Sequence, residues 1–225
     1  MNPVNHLIEI CNLNKTYASG DTMVTAIDQM DFFIDGGEFV SITGQSGSGK
    51  STLLSVMGAM NRPTQGQVFV DSLDLYALTN EQRADFRSEY MGFIFQSFQL
   101  IPYLTVMENV KLPMAVTGRS KKEKNKMAKE VINRVGLKDK AHRLPDQLSG
   151  GEQERVAIAR AIVNRPPIIL ADEPTGNLDS TTAREIMALL RGLNDDGHTI
   201  IMVTHNEKME AHATRSIRVK DGNVL

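Results

Sequence analysis

The sequence is short of the features that mark secreted and membrane-spanning proteins. Its 225 residues include a single cysteine, Cys11, so no internal disulfide can form and a reducing compartment is expected. We interpret Cys11 as a small apolar residue rather than a reactive thiol. No apolar run approaches the roughly 18 residues that a membrane span requires. The first stretch, MNPVNHLIEI, lacks the apolar core of a signal peptide.

The chain also lacks a strong charge of either sign. A formal net charge of −2 provides no overall basic field, so a nucleic-acid partner is not expected. Together these absences predict a soluble chain without direct insertion into a membrane, although it could dock on a membrane protein.

Short β-rich runs alternate with helical patterns along the chain. The runs predicted to form strands are LIEIC, FVSIT, GFIF, PIILAD, TIIMVT and RSIRV. Helices are predicted for KSTLLSVMGAM, EQERVAIARAIV and TTAREIMALLRGL. This alternation predicts an α/β core with a mainly parallel sheet, and the most apolar runs are typical of central strands covered on both faces.

Residues 97–148 have a different pattern from the rest. They contain few strand signals, three prolines and the charged segment SKKEKNKMAKEVINRVGL. We predict a mostly helical subdomain inserted in the core. Its lysines alternate with Glu123 and Glu130, so we interpret them as a solvated helix face rather than a surface for anionic lipid.

The segment GQSGSGKS, from Gly44 to Ser51, fits the pattern G-x-x-x-x-G-K-[ST]. It stands between a predicted strand and a predicted helix, which is the context that this phosphate-binding loop requires. Glycines let backbone N–H groups converge on an anion, and a helix N-terminus adds free donors and partial positive charge. We expect Lys50 to reach the outer phosphates, Ser51 to bind Mg²⁺ and Thr52 to support the inner phosphates. The residues predicted to bind a nucleoside triphosphate are Gly44, Gln45, Ser46, Gly47, Ser48, Gly49, Lys50, Ser51 and Thr52; a flexible Gly/Ser turn is the alternative.

Two acidic residues, Asp172 and Glu173, stand at the end of the predicted strand PIILAD. Adjacent strand residues point to opposite sides, so one carboxylate is expected to face the metal and the other a water. Asp172 is the predicted Mg²⁺ partner. Glu173 is the predicted general base, or the group that positions water for attack on the γ-phosphate. A pair of solvated acids at a strand end is the alternative.

His205 ends the predicted strand TIIMVTH, at the edge where ligands bind to parallel sheets. We expect it to hydrogen-bond the γ-phosphate rather than to bind a metal. A purely structural hydrogen bond is the alternative.

A second predicted helix start, with two glycines whose backbone no side chain covers, occurs in QLSGGEQERVAIARAI. Ser149, Gly150 and Gly151 form a further candidate anion site. Ser149 and Glu152 also fit a capping box, and that explanation is sufficient for the motif taken alone. Both can hold, because a Glu152 that turns back onto the cap points its charge away from an incoming phosphate.

Five motifs in this order resemble those of ATP-binding cassette (ABC) ATPases across nearly the whole chain. They are GQSGSGKST, FQ with Gln96, LSGGE, ILADEPTGNLD and His205. The resemblance implies one ABC ATP-binding domain over residues 1–225. It would consist of a RecA-like P-loop NTPase core (1–96 and 155–225) with an N-terminal antiparallel β part, and a helical subdomain at 97–154. It also implies a head-to-tail homodimer, in which the LSGGE of one protomer covers the ATP on the other's phosphate loop.

The resemblance also implies roles for single residues. Tyr17 would stack on adenine, with ordinary edge packing as the alternative. Gln96 would meet Mg²⁺ and the attacking water and link to the transmembrane partner, and Asp179 would communicate across the dimer. Many members of the family have glutamine where this chain has Glu152. A glutamate at position 173 implies an active hydrolase, with ATP and Mg²⁺ as its ligands.

Within the family, GFIFQSFQLIPYLTVMENVKLP and LADEPTGNLDS closely resemble the lipoprotein-releasing and macrolide-exporting branch. The cell-division ATPase branch, which signals across the membrane without transport, is nearby. Because the sequence ends at RVKDGNVL, we expect the transmembrane permease subunits to be separate polypeptides. The chain would then be cytoplasmic and peripheral on the cytoplasmic face of the bacterial inner membrane. The cargo stays open between a lipoprotein, a peptide, a macrolide and a cell-wall signal.

Other classes of protein explain the motifs less well. A soluble ABC protein that acts on ribosomes or DNA usually has two cassettes or a long coiled-coil insertion. A non-hydrolysing, ATP-dependent scaffold would share the binding motifs but not the turnover. A small-molecule kinase would leave LSGGE unexplained.

Overall fold

Two β-sheets form the framework of the chain in the computed structural model, which describes residues 6–20 and 22–225. Ten strands are described: β1 Ile8–Ser19, β2 Thr22–Ile34, β3 Phe39–Thr43, β4 Gln65–Val70, β5 Leu73–Asp74, β6 Met91–Ile94, β7 Ile168–Asp172, β8 Thr199–Val203, β9 Arg215–Lys220 and β10 Asn223–Val224. Seven α-helices are described with them: α1 Lys50–Met57, α2 Asn80–Tyr90, α3 Val106–Lys111, α4 Lys121–Arg134, α5 Gly150–Ile162, α6 Ser180–Asp195 and α7 Glu207–Glu210. Of the N-terminal stretch MNPVNHLIEI, residues 1–5 lie outside the described part.

The larger sheet has six strands in the order β10-β9-β3-β8-β7-β6. The five strands from β9 to β6 are parallel to one another, and only the edge strand β10 is antiparallel. β3 and β8 are buried along their whole length, as their apolar sequences predicted. The predicted α/β fold with a mainly parallel sheet is therefore confirmed.

The smaller sheet is antiparallel, with the order β2-β1-β4-β5. The sequence patterns missed β2 because its buried residues are Ile27, Met30 and Ile34, whose spacing of three and four looks helical rather than alternating. The register between β1 and β2 shifts here, and Asn12 and Gln29 both have φ of 46°. These bulges add residues to the ladder, so the period of two is lost.

Side chains on the two faces of the parallel sheet belong to two hydrophobic clusters. Along β8, Ile200 and Met202 pack with α3, α4, α5 and α6, whereas Ile201 and Val203 pack with α1 and the antiparallel sheet. This alternation follows from the strand period of two. Helix α1, which follows the phosphate-binding loop, is thus held between the two sheets.

The segment from residue 97 to residue 148 contains only helical elements in the structure. It holds α3, α4 and three 3₁₀ turns at Leu112–Met114, Lys138–Lys140 and Pro145–Gln147. The predicted domain limit at 154/155 falls within α5, whose residues pack with both α3 and the sheet. The division into core and helical subdomain at 97 and 154 stays a prediction.

Two further elements gave little signal in the sequence. Helix α2 buries only Phe86, and β4 buries only Val68 and Val70. Segments that bury so few apolar residues show weak periodicity.

Among the described residues, no helix combines the length and the apolar content that crossing a membrane would need.

One acidic side chain of α5 is enclosed in the core. Glu154 is fully buried, and neither carboxylate oxygen has a hydrogen-bond partner among the described residues. Burial raises the pKa of Glu154 from 4.5 to about 8, although the positive charge of Arg160 opposes the rise. The folded protein therefore holds a proton that the unfolded chain releases near its ordinary pKa.

The pKa of Glu154 predicts a pH dependence of stability. Since the folded-state pKa of Glu154 is raised, the contribution of this residue to the free energy of unfolding is complete below pH 4.5. It is lost as pH rises through about 8. We expect Glu154→Gln to remove this fall and to be more stable than the wild type at pH 8, in urea unfolding measured at several pH values. The exposed Glu89→Gln should keep the wild-type slope. An unchanged slope in Glu154→Gln would show that Glu154 is ionised in the folded protein.

Candidate functional site

The ends of the parallel strands meet at one edge of the sheet, around a cavity of about 590 Å³. Its lining comes from β2, from the loop after β3 with the start of α1, and from the segments that follow β6, β7 and β8. The lining residues are Ala26, Ser46, Gly47, Gly49, Lys50, Ser51, Thr52, Gln96, Glu173 and His205. Parallel sheets bind ligands at this edge because their loops converge there. The structure thus brings most of the predicted phosphate loop together with the three predicted catalytic residues.

The loop between β3 and α1 fits closely under the antiparallel sheet. Gly49 caps α1 with φ of 100°, and a Cβ atom there would lie 2.0 Å from the carbonyl oxygen of Ala26. Only glycine tolerates both constraints. No side chain caps the first N–H groups of α1. These donors face the cavity and can receive an anion.

The ammonium group of Lys50 lies across the loop. It donates hydrogen bonds to the carbonyl oxygens of Gly44 at 2.8 Å and Gln45 at 2.7 Å, with Ser48 Oγ at 3.5 Å. Burial lowers the pKa of Lys50, and the carboxylates of Glu173 and Asp172 oppose that change. The predicted contact of Lys50 with the outer phosphates stays a prediction. Gly44, Gln45 and Ser48 contribute to the loop without lining this cavity.

Two oxygen ligands predicted for Mg²⁺ lie together beside the loop. Ser51 Oγ donates a hydrogen bond to Asp172 Oδ1 at 3.1 Å. Burial raises the pKa of Asp172, and the hydrogen bond from Ser51 opposes the rise. Within the described ranges, no group of three or more His, Cys, Asp or Glu side chains could hold a metal, here or elsewhere. A hydroxyl and one carboxylate fit Mg²⁺, which completes its coordination with water and substrate phosphates.

Glu173 is hydrogen-bonded through both carboxylate oxygens. Gln96 Nε2 donates to Oε2 at 3.2 Å, and His205 Nδ1 lies 2.8 Å from Oε1. The Glu173 side chain is 18% exposed, whereas that of His205 is 63% exposed. The catalytic candidates of three separate segments therefore form one connected group.

The simple strand geometry predicted for these residues is wrong in two details. β7 ends at Asp172, and Glu173 has φ of 46°, so strand alternation does not set its direction. β8 ends at Val203, so His205 lies in the loop beyond the strand rather than at its end. Both side chains leave the sheet where the ladder stops, and they can turn toward each other.

The loop that carries Gln96 is held by two residues that the sequence patterns did not single out. Asn177 Nδ2 donates to the carbonyl oxygen of Gln96 at 2.8 Å. Arg160 donates to the carbonyl oxygens of Phe98, at 2.7 Å, and Gln99. A polar side chain within the otherwise apolar run VAIARAIV was the available signal for Arg160.

The residues of the second helix start lie outside this cavity. Ser149 caps α5 and forms the predicted capping box with Glu152, which is confirmed. Lys140 also contacts the Glu152 carboxylate. None of Ser149, Gly150 and Gly151 lines the cavity formed by the phosphate loop. Their role in binding a nucleotide stays a prediction.

Asp179 caps α6 instead of facing the cavity. Its carboxylate accepts hydrogen bonds from the backbone N–H groups of Thr181 and Thr182, at 2.9 and 3.1 Å. Hydrogen bonds from Thr182 and Thr181 lower the pKa of Asp179. A β-carbon at Gly151 would lie 2.3 Å from Thr182 Cγ2, so the starts of α5 and α6 are in contact. A role for Asp179 in communication across a dimer stays a prediction.

Tyr17 is partly exposed on β1. Asn61 Nδ2 lies 2.5 Å from its hydroxyl group, and Lys15 Nζ lies 4.8 Å from the ring centroid. The ring does not line the cavity. Stacking of adenine on Tyr17 stays a prediction.

Comparison with known proteins gives one consistent result. The profile of the ABC transporter family matches residues 27–176. An uncharacterised ABC transporter ATP-binding protein of Methanocaldococcus jannaschii is 46% identical over 219 residues, which are 97% of this chain and 98% of that protein. A macrolide export ATP-binding/permease protein, MacB of Aggregatibacter actinomycetemcomitans, is 45% identical over 220 residues. Those residues are 98% of this chain and 34% of the MacB protein.

Solved structures of similar sequence have the same fold. A dimeric structure of the ATP-binding cassette MJ0796, in a post-hydrolysis state bound to ADP and Pi, has a TM-score of 0.89 and 44% identity. Another dimeric MJ0796 structure, described as a bacterial ABC transporter cassette, has a TM-score of 0.90 and 45% identity. Each alignment covers 96% of both chains. The predicted cassette fold is confirmed.

The contact of Gly49 with Ala26 can be tested by adding one methyl group. Gly49→Ala would place Cβ against the Ala26 carbonyl in an unfavourable backbone conformation. We expect a loss of about 1–3 kcal/mol in the free energy of unfolding and at least about tenfold weaker nucleotide binding. Urea unfolding and titration with a fluorescent nucleotide measure both effects. Gly36→Ala, where a Cβ atom would meet open space, is the control. Wild-type affinity in Gly49→Ala would contradict the packing argument.

Proposed function

The chain belongs to the ABC transporter family and is an ATPase that acts on ATP with Mg²⁺, and we propose that it is the nucleotide-binding subunit that drives separate transmembrane permease subunits. The observation that carries this proposal is the connected group of Glu173, Gln96 and His205 beside the phosphate loop. A carboxylate held on both oxygens at that place can orient a water for attack on the γ-phosphate.

The cavity supplies a separate group for each task. The uncapped N–H groups of α1 and the ammonium of Lys50 bind the phosphate oxygens. Glu173 accepts a hydrogen bond from the attacking water and orients it. Gln96 fixes Glu173 by its amide, and His205 is placed to hydrogen-bond the γ-phosphate. Ser51, Asp172 and Gln96 would hold Mg²⁺, whose positive charge would offset the charge that develops on the phosphate oxygens.

The two separate helix starts support a homodimer. Ser149, Gly150 and Gly151 lie outside the chain's own cavity, so a second copy is needed for them to meet a nucleotide. The Ser149 hydroxyl accepts the Glu152 N–H at 3.3 Å at the start of α5. Similar solved cassettes are described as dimeric. We propose that two copies close on two Mg-ATP and separate after hydrolysis.

The relatives support a proposal for the partner and the cargo. The Methanocaldococcus jannaschii relative and a 45% identical relative from Thermotoga maritima are named ATP-binding proteins, and the alignments cover 98% and 93% of them. Those lengths support a permease on separate polypeptides. The name of the macrolide export protein supports the export of a lipophilic cargo. Release of a lipoprotein and export of a peptide are the other cargo classes that we propose. The chain would then act at the cytoplasmic face of the membrane.

Removing the charge of Glu173 tests the catalytic assignment. We expect Glu173→Gln to lower the rate of phosphate release by about 10²–10⁴, the usual contribution of general acid–base catalysis. The variant should also accumulate an ATP-bound dimer, measured by size-exclusion chromatography with light scattering. Glu89→Gln should behave as the wild type. Turnover at the parent rate would refute the role of Glu173, and a strictly monomeric ATP-bound variant would refute the dimer.

The membrane partner can be tested by co-purification. We expect the tagged Glu173→Gln chain, in detergent extracts with Mg-ATP, to retain a protein with several membrane spans, because blocked hydrolysis should keep the proposed complex in one state during purification. Mass spectrometry identifies the retained proteins. Recovery with ribosomes instead would support a soluble, non-transport ABC ATPase.

A further inference from the structure

The loop that carries Gln96 contains an unusual turn just beyond it. Phe98 and Gln99 have φ of 60° and 51°, the left-handed region that residues other than glycine rarely occupy. The turn is closed by short-range bonds, from Phe98 N–H to the Phe95 carbonyl at 2.9 Å and from Gln99 N–H to the Ser97 carbonyl at 2.6 Å. Two consecutive residues of this kind persist only where the surrounding structure holds them in place.

The guanidinium of Arg160 provides that support. It donates one hydrogen bond to the Phe98 carbonyl at 2.7 Å and another to the Gln99 carbonyl. The planar fork of arginine can bind two neighbouring acceptors in fixed directions. Burial lowers the pKa of Arg160, and the buried carboxyl group of Glu154 on the same helix opposes that change.

Arg160 belongs to α5, and the start of α5 also lies near the turn. A Cβ atom at Gly150 would lie 3.9 Å from Cζ of the Phe98 ring. The helix therefore approaches the turn at its start and binds it through Arg160, ten residues later. On its opposite side, the Gln96 segment is held by Asn177 and by the bond from Gln96 to Glu173.

We propose that Arg160 is a positioning residue for Gln96: its two hydrogen bonds hold the left-handed turn at Phe98 and Gln99, and the turn keeps the Gln96 amide beside Glu173. Arg160 does not line the cavity, so it acts through the loop and not on the substrate. Because α5 begins at Ser149, Gly150 and Gly151, the same contact couples the position of that helix start to Gln96. The catalytic consequence rests on the proposed function. The clamp, by which we mean the two hydrogen bonds from Arg160 to Phe98 and Gln99, does not.

Arg160→Lys is the variant of choice, because lysine keeps the charge but cannot reproduce the planar two-carbonyl geometry. Arg155→Lys is the matched control. Arg155 lies on the same helix and donates to the Val135 carbonyl at 3.2 Å and to Glu185 at 2.8 Å, away from the turn. Thermal unfolding of each variant checks that the chain is folded.

Hydrogen–deuterium exchange of the full chain without nucleotide tests the clamp. We expect Arg160→Lys to speed exchange in a peptide covering residues 95–101 by about tenfold, since local opening no longer breaks two charge-assisted bonds. Arg155→Lys should leave this peptide at the wild-type rate. Unchanged exchange in Arg160→Lys would overturn the proposal, and so would equal acceleration in both variants.

Steady-state hydrolysis of Mg-ATP tests the link to Gln96. We expect Arg160→Lys to lower kcat by about ten- to a hundredfold with KM for ATP nearly unchanged, because a small displacement of a catalytic group is costly. In a Gln96→Ala background the same substitution should have no further effect on kcat. An equal loss in that background would show that Arg160 acts independently of Gln96 and would overturn the proposal. A parent chain that hydrolyses no ATP would instead refute the proposed function, and the exchange experiment would still decide the clamp.

Discussion

Parallel pairing of β3, β8 and β7 places the ends of three strands side by side, and the candidate site depends on that register. Ile42 pairs with Val203, and Val203 pairs with Asp172. The phosphate loop, His205 and Glu173 all leave the sheet from this row. A shift of one residue would reverse the faces of a strand, so the two hydrophobic clusters that cover the sheet also fix the site.

The charged groups around the cavity are largely enclosed, and they are hydrogen-bonded to other groups of the protein. Lys50 is nearly enclosed and binds carbonyl oxygens of its own loop, while Asp172 is bonded to Ser51. Burial disfavours the charged form of both side chains, which is why the pKa of Lys50 is lowered and that of Asp172 raised. A triphosphate with Mg²⁺ would supply the opposite charges that each group lacks. The site is thus arranged to be completed by its ligands.

Helix α5 connects parts of the molecule that would otherwise be independent. Its start carries Ser149 and the two glycines, its middle buries Glu154, and Arg160 near its end binds the Gln96 loop. The helix packs with α3, α4 and α6 in the same cluster as the sheet. A rigid element with these contacts can transmit a change at one end to the candidate catalytic residues.

The elements that could be predicted from the sequence are those whose pattern lies within a few consecutive residues. β3, β7 and β8 are largely apolar because both faces are covered, and the capping box of α5 lies within four residues. β2 could not be predicted, since the shifts in its register with β1 convert its burial pattern into a helical spacing. Helix α2 was missed because it buries a single aromatic residue.

The sequence alone determined the phosphate-binding loop, because bare backbone, a helix start, a lysine and a serine all occur within nine consecutive residues, Gly44 to Thr52. The tertiary structure decided which distant side chains complete the site. Gln96 and Glu173 are separated by 77 positions, and Phe98 and Arg160 by 62, so no local spacing could join them. Their contacts arise from strand order and helix packing, which place chain segments together according to buried area and not according to their distance along the sequence.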